Sequence, residues 1–325
     1  MPLATRLTEC LDIRHPVLLA PMGSIAGGRL AAAVTAAGGL GLIGGGYGDG
    51  EWLEREFSAA GNHRVGCGFI TWSLARRPEL LAQALAHGPA AVMLSFGDPK
   101  PFAPPIRAAG AKLICQVQTL AHVDDALAAG AEIIVAQGSE AGGHGATRAT
   151  LPLVPQVVDR VRRRAPEAMV VAAGGIGDGR GLAAALMLGA EGVLVGTRFY
   201  ASEESLARPQ AKARMIEATG EETIRTSVFD TARGIAWPKE FTGRALNNDF
   251  ARRWHGSEAE LAAAVEREMA RYQAAAAMGD FSTAVIFGGE AMGLFDRVLP
   301  AGDIVGGMVA EAEAALRAGA QHIAG

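Results

Sequence analysis

Short, continuously apolar segments recur along the chain as far as Tyr200, and each is followed by a segment whose apolar residues keep helical spacing. An apolar run without polar alternation predicts a strand that is buried on both faces, as in parallel sheets. The pattern predicts eight such strands, namely PVLLAPM (16–22), GLGLIGG (39–45), VGCGFITW (65–72), AAVMLSFG (90–97), AKLICQVQT (111–119), EIIVAQG (132–138), MVVAAGGI (169–176) and EGVLVGTRF (191–199).

The segments between these strands predict helices. GGRLAAAVTAAGG is rich in alanine and stops at glycine, and PELLAQALAHG begins with proline and ends with glycine, as helices commonly do. Eight strand–helix units in this order predict an α/β protein, specifically a (β/α)8 TIM barrel. A doubly wound open sheet is the alternative. It is less favoured because the eight strands follow without a break.

The pattern changes after Tyr200. Residues 204–282 are richer in Arg and Glu, show no buried strand pattern, and predict amphipathic helices. The apolar, glycine-rich pattern then returns and ends in a further predicted helix. We therefore predict a small, mainly helical domain at 204–282, inserted into a barrel formed by 1–203 and 283–325.

Composition and charge exclude several classes of protein. The net charge is −4 and no long basic run occurs, so no nucleic-acid partner is expected. The three cysteines are far apart and indicate neither a disulfide framework nor a zinc site. No apolar run is long enough for a membrane span, and the N-terminus does not resemble a signal peptide. A cytoplasmic protein without a membrane association is expected.

The active site of such a barrel lies at the C-terminal ends of its strands. None of the four lysines lies in the last half of a predicted strand, no His, Asp and Glu cluster suggests a metal, and no serine-triad elbow is present. This inventory fits a site in which a cofactor carries the chemistry. The candidate side chains and glycines are Met22, Gly45, Trp72, Asp98, Lys100, Gln116, Gln118, Glu140, His144, Gly175 and Thr197.

Glycines at the last two barrel strands point to a phosphate group. AAGGIGDGRG (172–181) and LVGTRF (194–199) each end a strand with glycine, where backbone N–H groups can surround a phosphate without interference from a Cβ. Barrels commonly bind phosphate at these two loops. The alternative is that Gly174 and Gly175 only form a tight turn.

The segment QGSEAGGHGA (137–146) sets His144 among small residues. We interpret the small neighbours as space for a ligand, so that His144 is uncrowded and faces it. A neutral imidazole can accept a proton near neutral pH. The alternative is a histidine that only hydrogen-bonds the substrate or the backbone.

Three stretches together resemble the nitronate monooxygenase family, formerly called 2-nitropropane dioxygenases, which is related to flavin-type enoyl-acyl-carrier-protein reductases and NADH:quinone reductases. They are PVLLAPMGSIAGGRLAAAVTAAGGLGLIG, QGSEAGGHGA and VVAAGGIGDGRGLAAALMLGAEGVLVGTRF, and FGGEAMGL (287–294) resembles the family's returning segment. The resemblance implies an FMN-dependent TIM barrel with a small inserted domain.

The resemblance also assigns roles to residues. It implies that His144 is catalytic. The implied FMN contacts are Ala20, Pro21 and Met22 along the flavin ring, Gln116 or Gln118 approaching the ring, Gly142 and Gly143 in the loop beside it, and Gly174, Gly175, Gly196 and Thr197 at the phosphate.

Two positions depart from the family pattern. Many relatives carry Asn near the end of the third strand, where this chain has Gly68 and Phe69, and relatives often carry Gln at the position of Glu290. Among the other positions, Glu140 is expected to orient its loop, and Trp237 and Phe241 are expected to pack the insert rather than line the cleft. Trp72 could equally cap the barrel or border the substrate cavity.

The implied reaction is the oxidation of alkyl nitronates, or of neutral nitroalkanes, by O2 to a carbonyl compound and nitrite. A reductase of the same superfamily that takes hydride from NAD(P)H is the alternative. A non-catalytic flavin protein, or a barrel that binds a sugar phosphate, is a third possibility. The use of NAD(P)H and the formation of a homodimer stay open.

Overall fold

The computed structural model describes residues 3–322. It contains two sheets, one with eight parallel strands and one with three antiparallel strands. In chain order the strands are β1 (Val17–Leu19), β2 (Leu42–Gly44), β3 (Gly66–Ile70), β4 (Ala91–Ser95), β5 (Lys112–Val117), β6 (Ile133–Gln137), β7 (Gly143–Gly145), β8 (Met169–Ala173), β9 (Gly192–Val195), β10 (Thr223–Thr226) and β11 (Thr242–Leu246).

The large sheet curls into a barrel. Its order is β1-β9-β8-β6-β5-β4-β3-β2, and a parallel bridge between Leu18 and Leu40 joins its two edges. In this bridge the Leu19 N–H donates to the Leu40 carbonyl at 2.9 Å. The predicted (β/α)8 TIM barrel is confirmed. Each of the eight strands falls within its predicted segment but is shorter, because the ends of the apolar runs turn into the loops at the barrel mouth.

Helices surround the barrel. They are α1 (Arg6–Leu11), α2 (Gly28–Ala36), α3 (Gly50–Ala60), α4 (Thr71–Leu74), α5 (Glu79–Ala86), α6 (Ala103–Ala108), α7 (Leu120–Ala128), α8 (Thr150–Arg164), α9 (Gly179–Met187), α10 (Thr197–Tyr200), α11 (Pro209–Glu217), α12 (Val228–Arg233), α13 (Asp249–Trp254), α14 (Glu258–Ala263), α15 (Val265–Met278) and α16 (Ala301–Ala320), with a 3-10 turn at Gly220–Glu222. Side-chain caps start several of them; the Asp178 carboxylate, for example, accepts from the Gly181 N–H at the start of α9. The final helix α16 packs against α9 and α2, so the chain returns to the barrel after residue 282.

Two apolar clusters pack the two faces of the barrel sheet. One lies between the sheet and the surrounding helices, and the other fills the barrel interior. Leu7 and Leu11 of α1 belong to the interior cluster. Together with Ile133 and Met169, at the N-terminal ends of their strands, they close the bottom of the barrel. The opposite end, where the strands finish, is left for the functional site.

Residues 204–282 contain five helices, α11 to α15, and also two strands that the sequence pattern did not reveal. The strands β10 and β11 form the antiparallel sheet with β7, which is the short strand that carries His144. Three of the four residues of β10 are only partly buried, so it lacks the continuous apolar pattern that marks the barrel strands. A separate apolar cluster around Phe229, Phe250 and Tyr272 packs this region. The boundaries of an inserted domain stay a prediction.

No helix within residues 3–322 is both long and apolar enough to cross a membrane.

Candidate active site

A cavity opens at the C-terminal mouth of the barrel. It encloses about 1270 Å³, with the open solvent at its mouth included, so it is large enough for a ligand of the size that protein pockets usually hold. The ends of the barrel strands form one wall, and residues from 204–282 and from the segment 287–291 form the other.

All but one of the residues that the family resemblance implies to be catalytic or to contact FMN border this cavity. Those that do are Ala20, Pro21, Met22, Gln116, Gly142, Gly143, His144, Gly174, Gly175, Gly196 and Thr197. The exception is Gln118, which is 1% exposed and whose side-chain Nε2 donates to the Gln137 Oε1 at 2.9 Å. Gln118 borders a neighbouring second cavity with Asp98, Lys100 and His122. Of the two predicted glutamines, only Gln116 is therefore in a position to approach a ring in the main cavity.

Gly174, Gly175, Gly196 and Thr197 form a glycine cradle at the ends of β8 and β9. Gly174 and Gly175 have φ of +105° and +71°, which L side chains rarely adopt. A Cβ on Gly174 would come within 2.8 Å of the Thr150 Oγ1. The backbone N–H groups of Gly174, Gly175 and Gly196 donate no hydrogen bond to another described residue. A cradle of free N–H groups without side chains fits a phosphate group.

The returning segment FGGEAMGL packs on the loop that carries His144. The Gly289 N–H donates to the Thr197 Oγ1 at 3.0 Å, and a Cβ on Gly142 would lie only 2.7 Å from the backbone of Gly288 and Gly289. The side chain of Glu290 does not border the cavity and instead forms an ion pair with Arg244, with 2.9 Å between Nη2 and Oε1. Glu290 thus helps to hold the loop from outside the cavity.

Two further groups fix the conformation of this loop. The Glu140 carboxylate accepts from the backbone N–H of Thr150 and, at 2.8 Å, from its Oγ1. The orienting interpretation of Glu140 agrees with these contacts. The half-buried Arg225 donates to the carbonyls of Gly145 at 2.9 Å and Ser139 at 3.0 Å. Burial lowers the pKa of Arg225 to about 10, so it stays charged at neutral pH and clamps the loop.

His144 is buried, and the interpretation that it is uncrowded is wrong. Its imidazole stacks on the indole of Trp237, with ring centroids 3.6 Å apart and planes at 5°. Its Nε2 lies 2.8 Å from Oδ2 of Asp230, and the Phe287 ring lies 5.4 Å away. The glycines around His144 in the sequence leave room, and side chains from distant segments occupy much of it. Trp237 was expected to pack the insert rather than line the cleft, yet it both packs on His144 and borders the cavity.

The surroundings of His144 keep its imidazole neutral. Burial lowers its pKa below the usual value, and the nearby charges of Arg233 and Arg225 act in the same direction, while the Asp230 carboxylate partly offsets them. The neutral ring can donate its Nε2 proton to Asp230, which leaves the lone pair on Nδ1. No described residue hydrogen-bonds to Nδ1. The pair therefore has the geometry of an oriented general base.

Aromatic side chains complete the cavity wall. Tyr47, Phe96, Trp237 and Phe287 all border the cavity, and the Tyr47 hydroxyl accepts from the Trp237 Nε1 at 2.9 Å. Burial raises the pKa of Tyr47, so its hydroxyl is neutral.

The remaining positions singled out in the sequence lie nearby. Gly68 and Phe69, which depart from the family pattern, both border the main cavity. Trp72 borders the second cavity and packs edge-on against Trp237 at 5.3 Å. Phe241 also borders the second cavity and packs on Phe96 at 5.0 Å.

The sequence did not point to Asp230, Arg225 or Arg233. No motif surrounds them, because they belong to a segment whose Arg and Glu content is that of an ordinary surface. Their contacts reach across 80 or more positions to the His144 loop, as from Arg225 to Gly145 and from Asp230 to His144.

A TIM barrel with a glycine cradle on its last two strands and a buried His–Asp pair at its mouth is an enzyme of the cofactor-dependent class. Comparison with known families identifies which one. Residues 4–62 and 74–311 match the model of the nitronate monooxygenase family, and the chain belongs to that family. It is an oxidoreductase, and the family implies a flavin cofactor and a small-molecule substrate.

Individual relatives agree with this assignment. The chain is 34% identical to a nitronate monooxygenase of Neurospora crassa over 339 residues, which cover 90% of this chain and 88% of the relative. FabK from Thermotoga maritima has a TM-score of 0.87 at 30% identity and covers 99% of this chain and 100% of its own. A nitroalkane oxidase from Streptomyces ansochromogenes has a TM-score of 0.81 at 28% identity, with coverage of 96% and 99%.

Proposed function

We propose that the protein is an FMN-dependent enzyme that oxidises alkyl nitronates, and more slowly neutral nitroalkanes, with O2 to a carbonyl compound and nitrite. The observation that carries this proposal is the buried His144–Asp230 pair, whose histidine borders the same cavity as the glycine cradle. The matches to a nitronate monooxygenase and to a nitroalkane oxidase support it.

The cavity offers separate places for the parts of FMN. The glycine cradle would hold the phosphate through backbone N–H groups. Ala20, Pro21, Met22 and Gln116, with Gly142 and Gly143 of the opposite loop, would surround the ring. When bound, FMN accepts electrons from the substrate and passes them to O2.

His144 would remove a proton from the α-carbon of a neutral nitroalkane. Asp230 fixes the ring by accepting from Nε2, so that Nδ1 is the atom that accepts the α-proton. The lowered pKa keeps this atom free of a proton at neutral pH. A nitronate has already lost that proton, and here His144 would only position the anion.

A specific observation favours a second candidate. The likeness to FabK extends over 99% of this chain, and the flavin-type enoyl-acyl-carrier-protein reductases are the reductases that its sequence resembles. A reductase would use the same flavin site but would take hydride from NAD(P)H.

The test is an aerobic assay with ethyl nitronate and FMN-loaded protein. We expect O2 uptake together with the release of nitrite and acetaldehyde. The His63→Ala variant, which changes an exposed histidine far along the chain from the loop, serves as a matched control for His144→Ala. Absence of nitrite from protein that holds its flavin would contradict the proposal.

A further inference from the structure

One cationic side chain borders the main cavity, and one of its hydrogen-bond donors has no partner in the part of the protein that the structure describes. Among the described residues, Arg233 is the only Lys or Arg in the cavity wall. It is the last residue of α12, and Gly234 follows with φ of +67°. The Arg233 side chain is 23% exposed, yet its Nη1 is buried and has no hydrogen-bond partner among the described residues. Buried polar groups normally have a partner, so the protein leaves the hydrogen-bonding capacity of this guanidinium partly unused, as it does that of the Asp230 Oδ1 that faces it.

The nearest acceptor does not supply the missing bond. Nη1 of Arg233 lies 3.7 Å from Oδ1 of Asp230, which is beyond hydrogen-bond distance. The other oxygen of Asp230 contacts His144 at 2.8 Å. The charge of Asp230 is thus near Arg233, but its closest contact is with the histidine.

The other surroundings of Arg233 are aromatic. Its guanidinium carbon lies 5.4 Å from the ring centre of Tyr47 and 5.6 Å from that of Phe287. Rings on its flanks stabilise the cation, and the neutral Tyr47 hydroxyl interacts with the guanidinium, but neither ring supplies a charged acceptor. A planar guanidinium matches an anion that presents two oxygens in one plane, and both a nitronate and a carboxylate are anions of this kind.

Other arginines near the loop are already engaged. Arg225 donates to backbone carbonyls of the loop, and Arg244 is paired with Glu290. Neither borders the cavity. The structure thus singles out one residue among the arginines for contact with an anion.

We propose that Arg233 binds the two oxygens of the substrate's nitronate group and thereby makes the enzyme select anionic nitronates over neutral nitroalkanes. This inference rests on the proposed function and names the residue that recognises its substrate class. With a neutral nitroalkane, the same cation stabilises the negative charge that forms on the nitro oxygens as His144 removes the α-proton.

The direct test measures binding without turnover. Propionate carries the planar pair of oxygens but cannot undergo the reaction, and propionamide is its neutral isostere. Calorimetric titration of FMN-loaded protein should show that propionate binds more tightly than propionamide. In Arg233→Gln, propionate binding should weaken by about 10- to 100-fold, as expected for the loss of a charged hydrogen bond, and propionamide binding should not change.

Two variants serve as controls. Arg233→Lys keeps the charge and should recover part of the propionate affinity. Arg253→Gln removes an arginine that lies over Trp254, in the same region but outside the cavity, and should bind propionate as the wild type does.

The kinetic counterpart separates binding from chemistry. Arg233→Gln should raise KM for ethyl nitronate by about the same 10- to 100-fold factor with a smaller change in kcat. Unchanged propionate affinity in Arg233→Gln, or equal binding of propionate and propionamide by the wild type, would overturn the inference. Arg233-dependent propionate binding in a protein that releases no nitrite would uphold the anion site and refute the proposed function.

Discussion

The two walls of the cavity expose different chemical groups. The barrel wall presents glycines and backbone N–H groups, with Gly174, Gly175 and Gly196 at its centre. The facing wall presents the guanidinium of Arg233 and the indole of Trp237, and the Asp230 carboxylate lies behind it; all three belong to residues 204–282. Asp230 reaches the cavity through its contact with His144.

This difference indicates that one wall binds the cofactor and the other recognises the substrate. A backbone cradle without side chains suits a phosphate, which many enzymes with unrelated substrates share. Charged and aromatic side chains are what distinguish one substrate from another. His144 lies where the walls meet, because its strand β7 belongs to the barrel loop but pairs with β11 of the facing wall. Damage to the first wall should therefore reduce flavin binding, and damage to the second should reduce turnover.

The largest expected effect is that of His144→Ala. Without the base, oxidation of neutral nitroethane should fall by about 10²- to 10⁴-fold, while the bound flavin content stays that of the wild type. Nitrite release per bound flavin measures this effect, with His63→Ala as the control. A nitroethane rate within a few-fold of the wild-type rate would remove His144 from the role of base.

The next largest effect is expected for Asp230→Asn. Removal of the carboxylate deprives His144 of the group that orients it, and we expect the plateau rate with nitroethane to fall by about 10- to 100-fold. The neutral ring is the active form, so the rate falls as pH drops through the pKa of His144. Because burial lowers this pKa, the acid limb of the wild-type profile should lie below pH 6.5.

The pH profile of this variant has a definite direction. Asp230 raises the pKa of His144 against the effect of burial, so the acid limb of Asp230→Asn should move to still lower pH. A shift to higher pH would contradict the assigned contact. Asp249→Asn, which changes an exposed carboxylate of α13, should leave the profile in place.

Gly174→Ala tests the barrel wall. The added Cβ would meet the Thr150 Oγ1 at 2.8 Å and the Gly138 carbonyl at 2.9 Å, and φ of +105° is strained for alanine. We expect FMN affinity to fall by about tenfold, as for a cost of about 1–2 kcal/mol. Gly88→Ala also has a positive φ, of +63°, which lies in the left-handed region and is less strained for alanine, and its Cβ would meet nothing within 4 Å, so it should bind FMN normally. Equal flavin affinity in the two variants would argue against the cradle.

The smallest expected effect is that of Trp237→Leu. The indole stacks on His144 at 3.6 Å, and aromatic pairs contribute about 0.5–1.5 kcal/mol. Turnover of nitroethane should therefore fall by about 2- to 12-fold, with flavin content unchanged. Trp237→Phe keeps a stacking ring and should lose less, whereas a larger loss in Trp237→Phe than in Trp237→Leu would contradict the role of the stack.

The same contrast between the walls explains what the sequence could predict. Buried parallel strands and a glycine cradle leave local patterns, because each needs particular residue types at neighbouring positions. The barrel, and the position of His144, Gly174, Gly175, Gly196 and Thr197 at its mouth, could therefore be predicted. Asp230 and Arg233 could not be predicted, because their contacts come from the fold of 204–282 and not from spacing. Gln118 fits the motif but lies behind the cavity, since burial at a strand end depends on neighbouring loops.

The most direct test of nitronate oxidation is anaerobic mixing of FMN-loaded protein with ethyl nitronate and, separately, with NADH, while the flavin absorbance is followed. We predict rapid bleaching of the flavin by ethyl nitronate and a negligible rate with NADH. Rapid bleaching by NADH and none by ethyl nitronate would contradict the account and assign the chain to the reductases.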